Sequence, residues 1–279
     1  MSITTTICKS GLGAVLLAAS GLMAVPAQAQ GYWSYGQNVL AITYNRHINR
    51  VLGTEDIGKR KLSSPQPQAR SRSNPAPSST GGSGNAQTAR QAFAFAPSAA
   101  VSARMIEEVF SQLPDEPGVL EARRFFESSA YRRDFGNALR SAGLSDANAI
   151  DVFAAMLMDA WEIVHDHEPD PRIVPQAATS VANNLALAAS ANGSVMADLA
   201  SRGDVGKQEL AEIFGVQMNI RASFYNAFRN QRGPNGMPSP VDGVSFEQFQ
   251  RTVHDEVMQW GMDLSQYDLT AQGFVPIRR

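Results

Sequence analysis

The run SDANAIDVFAAMLMDAWEIVHDH, residues 145–167, decides the fold class. Ile150, Phe153, Leu157, Trp161 and Val164 recur at steps of three or four, and Val152, Met156 and Ile163 widen the same face. That pattern is a helix which neighbouring elements must cover on most sides. The remaining strip is thin and acidic: Asp151, Ala155, Asp159, Glu162 and Asp166 follow the same helical steps and read as a solvated edge. Ser145 or Asp146 is expected to cap the helix, and Pro169-Asp170-Pro171 to end it just after His165-Asp166-His167-Glu168.

Helical spacing continues on both sides of this run. Toward the C-terminus, the residues from Pro175 to Ala191 form an alanine-rich helix of little bulk, stopped by Asn192-Gly193. Asp204 opens a long helix through Gln231 whose buried face carries Leu210, Ile213, Val216, Ile220, Phe224 and Phe228. Ser245-Phe246-Glu247-Gln248 matches a capping box, and Phe249, Val253, Val257 and Trp260 keep helical steps until Gly261. The tail through Gly273-Phe274-Val275-Pro276 reads as extended, with its aromatic packed on the domain. Toward the N-terminus, Phe93-Ala94-Phe95 is an extended arm and Ser98 caps a helix marked by Met105, Ile106, Val109, Phe110 and Leu113. After a break from Pro114 to Gly118, Leu120 to Ala142 continues in one or two helices stopped by Gly143. The fold class is therefore all-α, a single compact helical domain over residues 93–279.

The segment ahead of that domain has a different composition. Residues 57–92 are dominated by Ser, Pro, Gln, Gly and Asn, with Lys59, Arg60, Lys61, Arg70, Arg72 and Arg90 unopposed by any acid from Ile57 to Arg90, and are expected to be a disordered basic linker. Residues 30–56 carry Tyr32-Trp33 and a short amphipathic helix through Leu40, Tyr44, His47, Ile48 and Val51. Residues 1–29 read as a signal peptide: Lys9, a small apolar run from Gly11 to Val25, and the small-x-small pattern Ala27-Gln28-Ala29. The mature chain is expected to begin at Gln30 and to be exported, periplasmic or secreted. The apolar run is shorter than the roughly 20 residues of a spanning helix, so no transmembrane span is expected after processing. Cys8, the only cysteine, leaves with the leader, which removes disulfides and thiol chemistry from the mature protein. With the leader removed the balance of 23 basic against 26 acidic residues, −3, favours no particular partner, and nothing suggests wholesale nucleic-acid binding.

Leu139-Arg140, Gly143-Leu144 and Asn148-Ala149-Ile150-Asp151-Val152, with Trp161 beyond, are similar to a family of exported bacterial proteins of unknown function. The resemblance covers the helical domain from Phe93 onward. It implies an exported helical fold and carries no activity with it.

One polar cluster suggests chemistry. His165-Asp166-His167-Glu168 ends the central run, and Val253-His254-Asp255 repeats its Val-His-Asp. Imidazoles and carboxylates from separate helices can hold a divalent metal that activates water. His165-Asp166 resembles the paired motif of the helical histidine-aspartate phosphohydrolases, which makes His165, Asp166, His167, His254 and Asp255 candidate ligands. That family also requires an earlier histidine, and His47, the only one upstream, lies beyond the linker. On a helix, moreover, His165 and His167 point about 200° apart, and histidines in a last turn are favoured by the helix dipole without any metal. Glu107, Glu108, Asp159 and Glu162 offer carboxylates for glycoside cleavage, but such pairs are defined by a separation that sequence does not give. The leading expectation is a non-enzymatic, cofactor-free binding protein that engages a protein or envelope partner. The alternative is a metal-dependent hydrolase built on His165, Asp166, His254 and Asp255.

Overall fold

A computed structural model describes residues 83–111, 113, 117–190, 199–233, 236–241 and 243–278. The expected signal peptide, the segment over 30–56 and the linker as far as residue 82 lie outside the described residues. The described chain begins with helix α1, Ser83–Gln91, at the end of the stretch read as a linker. Its composition is polar, and it is placed by tertiary contacts: it lies on α6, introduced below, with Ala86 buried, and its Arg90 reaches the central helix.

Residues 93–95 form the expected arm, tied to the start of the central helix by Phe95 N–H to the Ala147 carbonyl at 3.0 Å and Ala149 N–H to the Phe93 carbonyl at 3.1 Å. Ser98 caps α2, Ala99–Phe110, which buries Val101, Met105, Ile106, Val109 and Phe110. Helix α3 spans Pro117–Glu127 and α4 spans Ser129–Ser141, with Ser128 as the cap that separates them. Gly143 stops α4 at φ +74, and its N–H and that of Leu144 return to the carbonyls of Arg140 and Leu139, the paired bonds of a Schellman motif.

The organising run is helix α5, Ala149–His165. Its cap is Asn148 rather than Ser145 or Asp146, with Asn148 Oδ1 accepting from Ile150 N–H at 3.1 Å while Nδ2 donates to the Arg90 carbonyl. It ends three residues earlier than read, because Asp166 turns left-handed at φ 47 and the N–H groups of Asp166 and His167 close a second Schellman motif on Ile163 and Glu162. Helix α6 is Val174–Ser190, α7 is Asp204–Asn230 and α8 is Phe246–Met258, capped by Ser245 as read. A 3₁₀ turn at Leu264–Gln266 leads into a two-stranded antiparallel hairpin, β1 Tyr267–Thr270 and β2 Gly273–Pro276, with Tyr267 opposite Pro276 and Thr270 opposite Gly273. The described fold is mostly helical, and the hairpin is a small addition to it.

Helix α5 runs through the middle, in contact with α6, α7 and α8, and every residue from Ala149 to Ile163 is buried. The expected solvated edge is therefore not one. Asp151, Asp159 and Glu162 are 1%, 6% and 4% exposed. Spacing identified the polar strip correctly, but α1 and α7 cover it with arginines. Arg90 grips Asp151 through Nε at 2.5 Å and Nη2 at 2.7 Å, and Arg229 lies 3.8 Å from Glu162. Within the described residues, no helix is long and apolar enough to cross a membrane.

Candidate functional site

The end of α5 separates the residues that sequence grouped together. His165 Nε2 lies 3.1 Å from the Leu264 carbonyl, which fixes the tautomer with the proton on Nε2, and its ring sits 4.8 Å from the Trp161 indole. Asp166 faces the other way, receiving Arg232 Nη2 on both oxygens at 2.9 and 3.0 Å and the Tyr225 hydroxyl at 3.2 Å. His167 meets the edge of Trp161, and Glu168 pairs with Arg229. On α8, His254 Nε2 is 2.9 Å from Asp263 Oδ1, while Asp255 is exposed beside its Nδ1. The bonds from His254 and Ser265 hold Asp263 down to about 2. Asp166 and His167 thus share one pocket, and His165, His254 and Asp255 lie outside it. Among the described residues no group of three or more His, Cys, Asp or Glu is placed to hold a metal ion.

The pocket shared by Asp166, His167, Glu168, Tyr225, Arg229 and Arg232 encloses about 340 Å³. Both guanidiniums already meet carboxylates there. Behind it, burial first, then the charges of Asp159 and Glu168, push the Glu162 carboxyl up to about 8 against the pull of Arg229. One turn earlier burial raises Asp159 to about 7, against Arg221, and among the described residues its Oδ2 takes no hydrogen bond. Arg221 itself pairs with Glu256 of α8. This region holds protons and charges between α5, α7 and α8, and among the described residues Asp159 Oδ2 and Glu256 Oε1 are enclosed there without a hydrogen bond. The glycosidase candidates are no better placed: Glu107 pairs with Arg123, while Asp159 and Glu162 are enclosed.

A second concavity lies between α2, α4 and α7 and holds about 470 Å³. Phe95, Ile106, Phe135 and Ala211, all buried, give it an apolar floor. Polar groups converge at one end. Gln208 completes the start of α2, its Oε1 accepting from Ser98 N–H at 2.8 Å and its Nε2 donating to the Ser98 carbonyl and Ser102 Oγ, both at 2.9 Å. One turn along α7, Glu212 Oε1 accepts from Ser102 Oγ, from Arg132 Nη1 at 2.8 Å and from Gln208 Nε2 at 3.3 Å. Tyr131 lines the same groove, 3% exposed, and burial followed by the charge of Glu212 raises its hydroxyl, so it stays a neutral phenol. Sequence reading singled out none of Ser102, Tyr131, Arg132, Gln208 or Glu212. The available signal was Gln208 and Glu212 four apart on α7, flanking an apolar face at Ala211.

Compared with known protein families, with curated proteins and with solved structures, the chain matches none.

Proposed function

We propose that this chain is an exported, non-enzymatic binding protein that takes a small amphipathic ligand in the groove between α2, α4 and α7. The groove carries the reading: it is concave, apolar along its floor, furnished with a few convergent polar groups, and its volume of about 470 Å³ is within the usual range for small-molecule sites. Export rests on the leader pattern at residues 1–29. The hydrolase alternative has less support, since His165 and His254 make bonds to the Leu264 carbonyl and to Asp263 on the 3₁₀ turn and its cap. Partner engagement through residues 30–56 lies outside the described residues.

The test is a thermal-shift and calorimetric screen of the purified chain against small alcohols, amines and carboxylates, repeated on Ala103→Phe. Ala103 is an exposed lining residue, and a phenyl ring there fills the groove without entering the core. Saturable binding that Ala103→Phe abolishes supports the reading. Stoichiometric bound zinc, iron or manganese together with a phosphatase activity lost in His165→Ala overturns it.

A further inference from the structure

The groove contains two polar atoms that the fold leaves without a partner. Glu212 uses Oε1 for all three of its hydrogen bonds, and Oε2 takes none among the described residues although the side chain is only 11% exposed. The Tyr131 hydroxyl likewise makes no hydrogen bond among the described residues, although the residue is 3% exposed. Both lie against the same stretch of α7: a Cβ at Gly215, one turn on from Glu212, would come within 3.1 Å of Tyr131 Oη. Neither atom is fully enclosed and both residues line the groove, so a pair left open beside an apolar trough is where a ligand's own polar group can be received.

The charge of the groove's lining selects the ligand's sign. Glu212, Glu127 and Asp146 line the groove against the single guanidinium of Arg132. The arginines that answer the other two carboxylates, Arg123 at 2.9 Å from Glu127 and Arg140 at 3.6 Å from Asp146, are not part of the lining. Oε2 can only accept, and the phenol oxygen can accept as well, so a group with several N–H donors and a positive charge satisfies both at once. Tyr131 and Phe135, which stack with ring centroids 5.7 Å apart, add aromatic surface to the groove's apolar wall.

Resting on the reading of the groove as a small-ligand site, we infer that its ligand is a primary ammonium on an apolar body, with the ammonium bound by Glu212 Oε2 and Tyr131 Oη and the body laid on Phe95, Ile106 and Ala211. Calorimetry of the full chain with n-octylammonium, n-octanol and n-octanoate tests this, because the three share a body and differ in the head. The ammonium should bind roughly tenfold tighter than the alcohol or better, with the carboxylate weakest. Glu212→Gln should erase the ammonium's advantage while leaving the alcohol's affinity unchanged, and Tyr131→Phe should reduce that advantage in part. If the alcohol or carboxylate binds as tightly as the ammonium, the cation assignment is wrong and the groove reading survives. If none of the three binds, or Ala103→Phe leaves binding intact, the groove reading itself fails. The ranking of the probes on the unaltered chain decides the assignment even where Glu212→Gln does not fold.

Discussion

Trp161 joins the central helix to the C-terminal hairpin. Its ring is 3% exposed, it lies against His165, and its indole N–H donates to the Tyr267 carbonyl at 2.9 Å, holding the start of the hairpin on α5. Trp161→Ala should cost about 3–5 kcal/mol, since lost transfer energy and a residual cavity add. Trp161→Phe keeps most of the packing and loses the hydrogen bond, so a loss of about 1 kcal/mol is expected from chemical denaturation of the two variants. Asp159, two residues earlier, behaves differently. Its folded-state value of about 7, like the value of about 8 at Glu162, lies above that of an unfolded carboxyl. Between pH about 4 and those values the folded state keeps protons that the unfolded chain has released, so these two groups make stability fall as pH rises through that window. Asp159→Asn should therefore melt close to the unaltered chain at pH about 3.5, below that window, and above it at pH 8.5. A variant that melts lower at pH 8.5 would mean that Asp159 is ionised in the fold and held by Arg221.

Helix α7 contains two glycines with opposite expected responses. At Gly215 an added Cβ would stand 3.1 Å from both Tyr131 Oη and Phe135 Cζ, and those rings cannot retreat because Tyr131 is braced edge-on by Phe126 at 4.8 Å. Overpacking of this kind costs roughly 1–3 kcal/mol, more than the gain of about 1 kcal/mol from replacing a helical glycine, so Gly215→Ala should lower the melting temperature. At Gly206 the added Cβ would meet Arg202 Cβ and Cδ at 3.2 Å, in the first turn of the helix where that residue can shift by a few tenths of an ångström with no aromatic ring behind it, and Gly206→Ala should raise it. These contrasts show where sequence was sufficient. Ser98, Gly143, Ser245 and Gly261 were readable because a cap or stop depends on neighbours within one turn. The burial of Asp151, Asp159 and Glu162 was not, because it depends on where α1 and α7 place Arg90, Arg221 and Arg229. The groove was hidden for the same reason: Tyr131 and Arg132 come from α4, Gln208 and Glu212 from α7. The hairpin strands, four residues each, are too short for an alternating pattern to stand out.

Across the whole molecule, α1 belongs to the domain because it supplies the counter-charge for a buried acid. Asp151 has a side-chain exposure of 2%, and among the described residues it accepts, besides Arg90, only the Ser145 N–H at 2.9 Å. A chain starting at Ala92 loses this cation, part of the cover over the carboxylate and the packing of α1 on α6, at a cost on the order of 3 kcal/mol. It should melt well below a chain starting at Ser83, and Asp151→Asn in the shorter chain should recover part of the loss; equal melting of the two truncations would show α1 to be dispensable. The hairpin has a different consequence, one of timing. The bond from Trp161 to Tyr267 spans 106 residues, and α7 and α8 also follow α5 in the chain. At ribosomal rates of about 5–20 residues per second, roughly 5–20 s separate the synthesis of the two partners. For that interval the nascent polypeptide carries a rod that is apolar on nearly every side, with its later coverings still unmade. Closure of the domain therefore waits on the hairpin, and α5 stays partly uncovered until these later elements have been made.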